Sequence, residues 1–204
     1  MISLEIVVFA NSYKNSFHCV AGKTTTNKKW IRPVSNKMGG ELNDKQIEYK
    51  NPYGKYPVKT LQRIKMDLLE YVPLLNQPEN YLISSRTWVQ SYSISKEEIW
   101  NYIDKPKSLW GQGDRVDFKD LESKQIIITQ SLYLVEVENL ELYLSEYKKR
   151  RARFKYNEIS YDLAVTDPNF EKIKDNIEDL KSVLCISLGS NYQGSCFKLV
   201  AGIF

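Results

Sequence analysis

The stretch from Val7 to Ser35, VVFANSYKNSFHCVAGKTTTNKKWIRPVS, constrains the fold most strongly, because it places two apolar, β-branched segments around a short polar connection. Segments of that kind, punctuated by Asn, Ser and Gly, are typical of β-hairpins. Residues 3–9 and 17–22 are therefore predicted to pair, and Gly22 suits a bulge or a close approach of two backbones. A short strand at Trp30–Arg32 should follow.

The same pattern returns at the other end of the chain. Phe17–Gly22 (FHCVAG) and Phe197–Gly202 (FKLVAG) share Phe, Val, Ala and Gly in the same order, and each follows an apolar run and a small polar turn. Any two hairpins could share such a composition, but the two segments also share the order of turn, Phe and Val-Ala-Gly, which favours two similar β units.

The middle of the chain predicts further strands and a few helices. Alternating apolar residues indicate strands at 58–69, 125–129, 132–137 and 159–165. Ser95-Lys96-Glu97-Glu98 fits the capping box of a helix that ends near residue 104. Thr166-Asp167-Pro168 fits the start of a helix over about residues 168–181, because Asp caps free amides and Pro tolerates the first helical turn.

These elements predict a mainly β protein with a few helices, built as two β-barrel units packed together. The first barrel should span residues 1–90 and the second residues 120–204, with a helical connector at 91–119. A length of 204 residues with 42% hydrophobic content is enough for a substantial core. The N-terminus carries no basic leader and no apolar run reaches membrane-spanning length, which favours a cytoplasmic protein.

Few residues suit metal or redox chemistry. The three cysteines are odd in number and form no CxxC pair, so we expect them to pack as small hydrophobes. His18 is the single histidine, which excludes multi-histidine metal sites. Gly111-Gln112-Gly113-Asp114 lacks the Lys-Ser/Thr that a phosphate loop needs. We therefore expect no metal site and no cofactor.

The distribution of charge says more than the mild net charge of +4. The run Lys148–Tyr156 gathers six cations and two aromatic rings, and a second set of cations surrounds Trp30: Lys23, Lys28, Lys29, Arg32 and Lys37. Cations that neutralise phosphates beside rings that stack on bases are the combination used by single-strand binders. The alternative for the 148–156 run is a solvated turn or helix end.

Several stretches of the chain form a set of motifs: Trp30–Ser35 (WIRPVS), Gln77–Asn80, Leu109–Gly111, Arg150–Tyr156, Tyr161–Pro168 (YDLAVTDP) and Cys185–Ile203. Together they resemble the motifs of the dual OB-containing domain family. The resemblance spans nearly the whole chain, although its middle matches only at scattered positions. It implies a pair of OB-type barrels, a bacterial protein encoded beside mobile-element and phage-conflict genes, and a role in handling nucleic acids or nucleotides. It supplies no catalytic residues.

We therefore predict a non-catalytic OB-type module that recognises nucleic acid or a nucleotide-like ligand. The expected binding residues are three rings for stacking and four cations for phosphate: Tyr13, Trp30 and Tyr192, and Arg32, Arg151, Arg153 and Lys198. A protein encoded by a neighbouring gene is a further candidate partner. One alternative is a metal-dependent nuclease or nucleotide hydrolase built on Asp162 and Asp167, and another is a protein-interaction adaptor.

Overall fold

The computed structural model describes residues 1–14, 16–174 and 181–204. By its internal contacts the chain divides into two units, one of residues 1–74 and 78–102, the other of residues 75–77 and 103–204. The division at residues 102 and 103 falls inside the predicted connector. No helix in the described ranges has the length and apolar character needed to span a membrane.

The first unit is an extended sheet that closes on itself. Its strands in the described residues are β1 (Ile2–Lys14), β2 (Phe17–Thr24), β3 (Trp30–Val34), β4 (Glu48–Asn51), β5 (Gly54–Pro57), β6 (Gln62–Tyr71), β7 (Asn80–Ile83) and β8 (Trp88–Ser93). The order β1-β2-β3-β7-β6 returns to β1, with β3 and β7 parallel and the other neighbours antiparallel. Strands β8, β4 and β5 continue the sheet outward from β6.

The second unit repeats this topology. Its strands in the described residues are β9 (Arg115–Asp117), β10 (Leu132–Leu144), β11 (Arg150–Tyr156), β12 (Ile159–Val165), β13 (Lys181–Tyr192) and β14 (Ser195–Ile203). The order β10-β11-β12-β14-β13 returns to β10, again with one parallel pair, β12 and β14. Strand β9 adds to the outer edge of β14. Both barrels thus have the closed five-stranded arrangement of an OB-fold.

In each barrel, the first strand closes the sheet by pairing with two different neighbours. Strands β1 and β10 are 13 residues long, and each pairs with one neighbour over its first half and another over its second. Each is bulged between the two halves, at Val8/Ala10 in β1 and at Glu138/Glu141 in β10. A bulge bends and twists a strand, so one strand can belong to both sides of a closed barrel.

Each barrel is filled by the inward-facing residues of its own strands. Ile6, Val8 and Ile64 lie in the core of the first barrel, and Val135, Phe154 and Leu163 in that of the second. Alternation along β11 is complete, since Ala152, Phe154 and Tyr156 are buried and their neighbours are not. Side chains on the outer face of this strand therefore take no part in the core.

The predicted fold class is confirmed: the structure is 54% strand and 8% helix, with two closed five-stranded barrels in the described residues. The repeated hairpin motif, however, does not mark equivalent strands. Phe17–Gly22 lies in the second strand of its barrel, whereas Phe197–Gly202 lies in the fifth. The structural repeat relates β1 to β10, not the two segments that resemble each other in sequence.

The local predictions differ from the structure in places. Residues 125–129 do not form a strand, and β10 instead continues through residue 144. Strand β3 runs past Pro33 to Val34. The central helix is a 3-10 helix at Glu97–Tyr102, preceded by the expected capping-box bond from the Ser95 N–H to Glu98 Oε2 at 2.9 Å.

A short helix α1 (Phe118–Glu122), which was not predicted, follows β9. The predicted helix at 168–181 is a short α2 (Phe170–Ile173), and residues 175–180 of the prediction lie outside the described residues. Asp167 does not cap α2 from the N-cap position. It accepts hydrogen bonds from the Asn169 and Ile203 amides at 2.8 and 2.9 Å, and its burial raises the pKa of the carboxyl.

Gly22 is a point of close approach between the backbones of β1 and β2, as the sequence predicted. A Cβ at this residue would lie 2.2 Å from the Val7 carbonyl oxygen. Gly22→Ala should therefore lower the free energy of unfolding by about 1–3 kcal/mol through forced backbone displacement. Chemical denaturation followed by circular dichroism measures this loss, and Gly111→Ala, which would strain a surface turn without any clash, provides a comparison. A Gly22→Ala protein as stable as the wild type would contradict the close approach.

Candidate nucleic-acid interface

The outer face of the second and third strands is the usual ligand face of an OB barrel. In the second barrel these strands are β11 and β12. Arg151, Arg153 and Lys155 alternate with buried residues along β11 and so project from this face. The register places them between the carboxylates of β10 and Asp162 of β12. The basic run predicted from the sequence is thus a strand whose outward positions are all cationic.

Arg151 is held firmly at one end of this row. Its Nε donates to Asp162 Oδ1 at 2.9 Å and its Nη2 donates to the Asp162 carbonyl at 2.6 Å. The Tyr143 hydroxyl donates to the other carboxylate oxygen at 2.5 Å. Arg151 therefore has its charge compensated, and it serves to fix Asp162 and Tyr143 in place.

Arg153 is the more accessible arginine, with 55% of its side chain exposed. Its guanidinium lies 5.0 Å from the centre of the Tyr143 ring and donates to Glu141 Oε2 at 2.9 Å. An ion pair this exposed contributes little and exchanges readily. A phosphate can therefore compete with Glu141 for the guanidinium, while the Tyr143 ring keeps the arginine on the face.

The turn between β10 and β11 adds a ring and two cations. Ser145 and Lys149 close it through the Ser145 N–H to Lys149 carbonyl bond at 2.9 Å, and Lys148 adopts a left-handed backbone with φ of 55°. Tyr147 at the tip is 79% exposed. In the described part of the chain, Lys148 and Lys149 form no ion pair. This turn, residues 145–149, presents the combination of ring and cation that single-strand binders use.

Two of the seven predicted site residues, Arg151 and Arg153, come together on this face. Tyr192 is exposed at the β13–β14 hairpin, but the strand register places it at the opposite end of the β10–β13 pair from the 145–149 turn. Tyr13 is also exposed, in the first barrel, where its ring packs 4.9 Å from the ring of His18. Stacking by these two rings stays a prediction.

Trp30 and Arg32, predicted to contact a base and a phosphate, are instead buried, at 5% and 3% exposed. Strand β3 is bonded to β2 on one side and β7 on the other, and all five of its residues are buried. The Trp30 ring packs edge-on to Phe9 at 6.1 Å, and Arg32 donates to Cys19 Sγ at 3.5 Å. The ligand face of the first barrel, unlike that of the second, is closed along β3.

Lys198 is equally buried, at 1% exposed, so the predicted phosphate contact is not open to it. Its ammonium donates to the carbonyls of Gly111, Gln112 and Gly113 at 2.9, 2.9 and 3.0 Å. It also lies 5.5 Å from the centre of the Tyr161 ring, and burial lowers its pKa to about 8. The segment Gly111–Gly113, which lacks the residues of a phosphate loop, therefore binds the Lys198 ammonium through its carbonyls.

The residues considered for hydrolysis are engaged in structural bonds. Both carboxylate oxygens of Asp162 accept hydrogen bonds, from Arg151 and Tyr143, and both oxygens of Asp167 accept from backbone amides. Of the cysteines, Cys185 and Cys196 are buried, and burial raises the pKa of Cys196 to about 11. That thiol packs as a small hydrophobe and is a poor nucleophile.

Sequence reasoning missed Tyr143, Glu141 and the Tyr147 tip. The signal for the first two is the alternation of Leu140, Leu142 and Leu144 with polar residues, which is typical of a strand. Tyr147 directly precedes the basic run and could have been counted with it.

One comparison with known proteins supports the fold. The family model of the dual OB-containing domain matches residues 4–203. A comparison with curated proteins gives no match. Among solved structures, one titled "Crystal structure of the tetrameric p202 HIN2" is 9% identical at a TM-score of 0.35, with 98% of this chain and 87% of that chain covered. A similarity of that size does not by itself establish a shared fold. Since the family match takes in nearly the whole chain and both barrels have OB topology, the chain belongs to the dual OB-containing domain family.

Proposed function

We propose that the protein is a non-catalytic module that binds single-stranded nucleic acid on the outer face of β10, β11 and β12. The observation that carries this proposal is the open, cationic ligand face of the second barrel, with Arg153 over Tyr143 and the exposed 145–149 turn beside it. OB barrels bind oligonucleotides on this face and through the loop between their first two strands. Arg153, Lys148 and Lys149 would contact phosphates, and Tyr147 and Tyr143 would face the bases.

A single strand fits this face better than a duplex. Rings stack on unpaired bases, and a base with its π-face exposed is available only where the strand is open. The cations are few and lie beside carboxylates. This arrangement suits the single line of phosphates in one strand better than the broad phosphate surface of a duplex. The association with phage defence and bacterial genomes that the family resemblance implies stays a prediction, as does a partner encoded by a neighbouring gene.

A salt titration tests the proposal. Fluorescence anisotropy with labelled oligothymidine, oligouridine and a DNA duplex should give binding to the single strands with a slope of log affinity against log salt of about −2, from about 0.7 for each of three cations. Binding of a protein partner without such a salt dependence would favour the adaptor alternative. Magnesium-dependent cleavage that Asp162→Ala abolishes would favour the nuclease alternative, and both results would contradict the proposal.

A further inference from the structure

A cavity of about 260 Å³ opens on the same outer face, at the other end of the cationic row. Lys155, two residues beyond Arg153 on β11, forms one side of it, and Glu138 lies opposite Lys155 in the strand register. Asp104, Lys105 and Tyr156 form further parts of the wall. The cavity is therefore continuous with the proposed binding face, and all of its lining belongs to the second unit.

The cavity offers a hydrogen-bond acceptor beside two donors. The Glu138 side chain is exposed, and its carboxylate makes no hydrogen bond or ion pair within the described ranges. Lys155 donates to Glu158 Oε2 at 2.6 Å, which leaves further N–H donors on its ammonium. Asp104 already accepts from the Leu134 amide at 2.8 Å. Glu138 is thus a carboxylate available to a ligand, and Lys155 and Lys105 belong to the same cavity wall.

This arrangement suits a nucleobase and not a phosphate. Carboxylates in the cavity wall repel phosphate oxygens but accept N–H bonds from a base edge. The volume is just below the range of about 300–1,000 Å³ for small-molecule sites, so the cavity holds a fragment the size of one base. Unpaired bases are commonly recognised by hydrogen bonds to their Watson–Crick edges.

Guanine matches the donors and acceptors best. Its Watson–Crick edge carries two adjacent N–H donors, N1–H and the 2-amino group, which fit the two oxygens of one carboxylate as the arginine fork does. The neighbouring O6 accepts from an ammonium. Adenine and cytosine present one amino donor next to a ring-nitrogen acceptor, and thymine presents one N–H between two carbonyls, so each leaves one carboxylate oxygen without a partner.

We infer that this cavity is a guanine subsite, in which Glu138 accepts from N1–H and the 2-amino group and Lys155 or Lys105 donates to O6. The inference rests on the proposed function, because the base reaches the cavity as part of a strand bound along β11. The subsite gives a base preference to a face that would otherwise bind any single strand.

Labelled oligothymidine strands about 12 nucleotides long, within the site size of an OB fold, test the subsite by fluorescence anisotropy. One central dG should raise affinity about 5- to 10-fold over the unsubstituted strand. Inosine, which lacks the 2-amino group, or dA at the same position should return affinity to the oligothymidine value. Glu138→Gln should abolish the preference for dG while leaving oligothymidine binding intact, and Glu122→Gln, the same charge change on α1, should keep it.

The outcomes separate the two proposals. Equal affinity for all four strands would overturn the guanine subsite and leave the proposed function standing. A preference for dG that survives Glu138→Gln would also overturn the subsite, because its acceptor would then lie elsewhere. Failure of every strand to bind would overturn the proposed function and the subsite together.

Discussion

Lys198→Met should lower the free energy of unfolding of the second barrel by about 2–4 kcal/mol. Three backbone carbonyls lose a charged hydrogen-bond donor, and the methionine side chain keeps water from replacing it. Methionine matches the length of the lysine stem, so the hydrophobic contacts along the barrel wall persist. The loss should appear as a fall in melting temperature of about 5–10 °C. It should also appear as faster amide exchange in residues 109–114, which the ammonium holds.

Lys155→Met is the matched control, since Lys155 lies on the outer face of β11 and its ion pair is with surface Glu158. Removing an exposed pair should change stability by less than about 1 kcal/mol. Equal stability of the two variants would show that the three carbonyls do not hold Lys198 in the folded protein.

The pH dependence gives a second sign of the buried ammonium. Its pKa is lowered by burial from 10.5 to about 8, so between these values the unfolded chain binds a proton that the folded chain has lost. Stability from this group therefore rises as pH increases from about 8 to 10.5. The gap in stability between wild type and Lys198→Met should widen over that window in urea titrations, and a constant or narrowing gap would contradict the lowered pKa.

Reversal of two charges in the 145–149 turn should weaken single-strand binding by about 10- to 100-fold at low salt. Lys148→Glu with Lys149→Glu replaces two phosphate contacts with repulsion, and it should reduce the magnitude of the salt slope by about 1.4, from 0.7 for each contact. The turn itself should persist, since its bonds involve the backbone and the Ser145 hydroxyl. Anisotropy with labelled oligothymidine measures both effects.

The β4–β5 hairpin offers a matched control for the charge reversal. Lys50 and Lys55 flank its tip, where Tyr53 is also exposed, so Lys50→Glu with Lys55→Glu makes the same change beside a similar ring. Affinity should fall little, because no ligand face of a barrel lies there. Equal losses in the two double variants would mean that net charge, and not the face of the second barrel, governs binding.

Much of the fold was predictable because it depends on local patterns. The existence of a β1–β2 hairpin, the strand at 159–165 and the capping box before the 3-10 helix all follow from residues close in the sequence. The predicted hairpin register is wrong, however, because β1 continues through the expected turn to Lys14, so residues 17–22 pair with 8–14 and not with 3–9. The boundaries of β10 were not predictable, since the bulge at Glu138/Glu141 interrupts the alternation of buried and exposed residues and hides the second half of the strand.

The candidate site divides in the same way. Arg151 and Arg153 were found because they lie in a dense run of cations and aromatic rings, and strand β11 places both on its outer face. Trp30, Arg32 and Lys198 were misjudged because their burial depends on contacts with residues distant in sequence, such as Phe9 for Trp30 and Gly111–Gly113 for Lys198. A cation next to an aromatic ring in the sequence does not reveal whether a barrel wall encloses it.

The most direct measurement of where the ligand binds is an NMR titration of nitrogen-15-labelled protein with oligothymidine. If the outer face of the second barrel is the binding surface, the largest amide shifts should fall in residues 143–155, with few in β3 or the β4–β5 hairpin. Shifts concentrated in the first barrel, or none at ligand saturation, would contradict it.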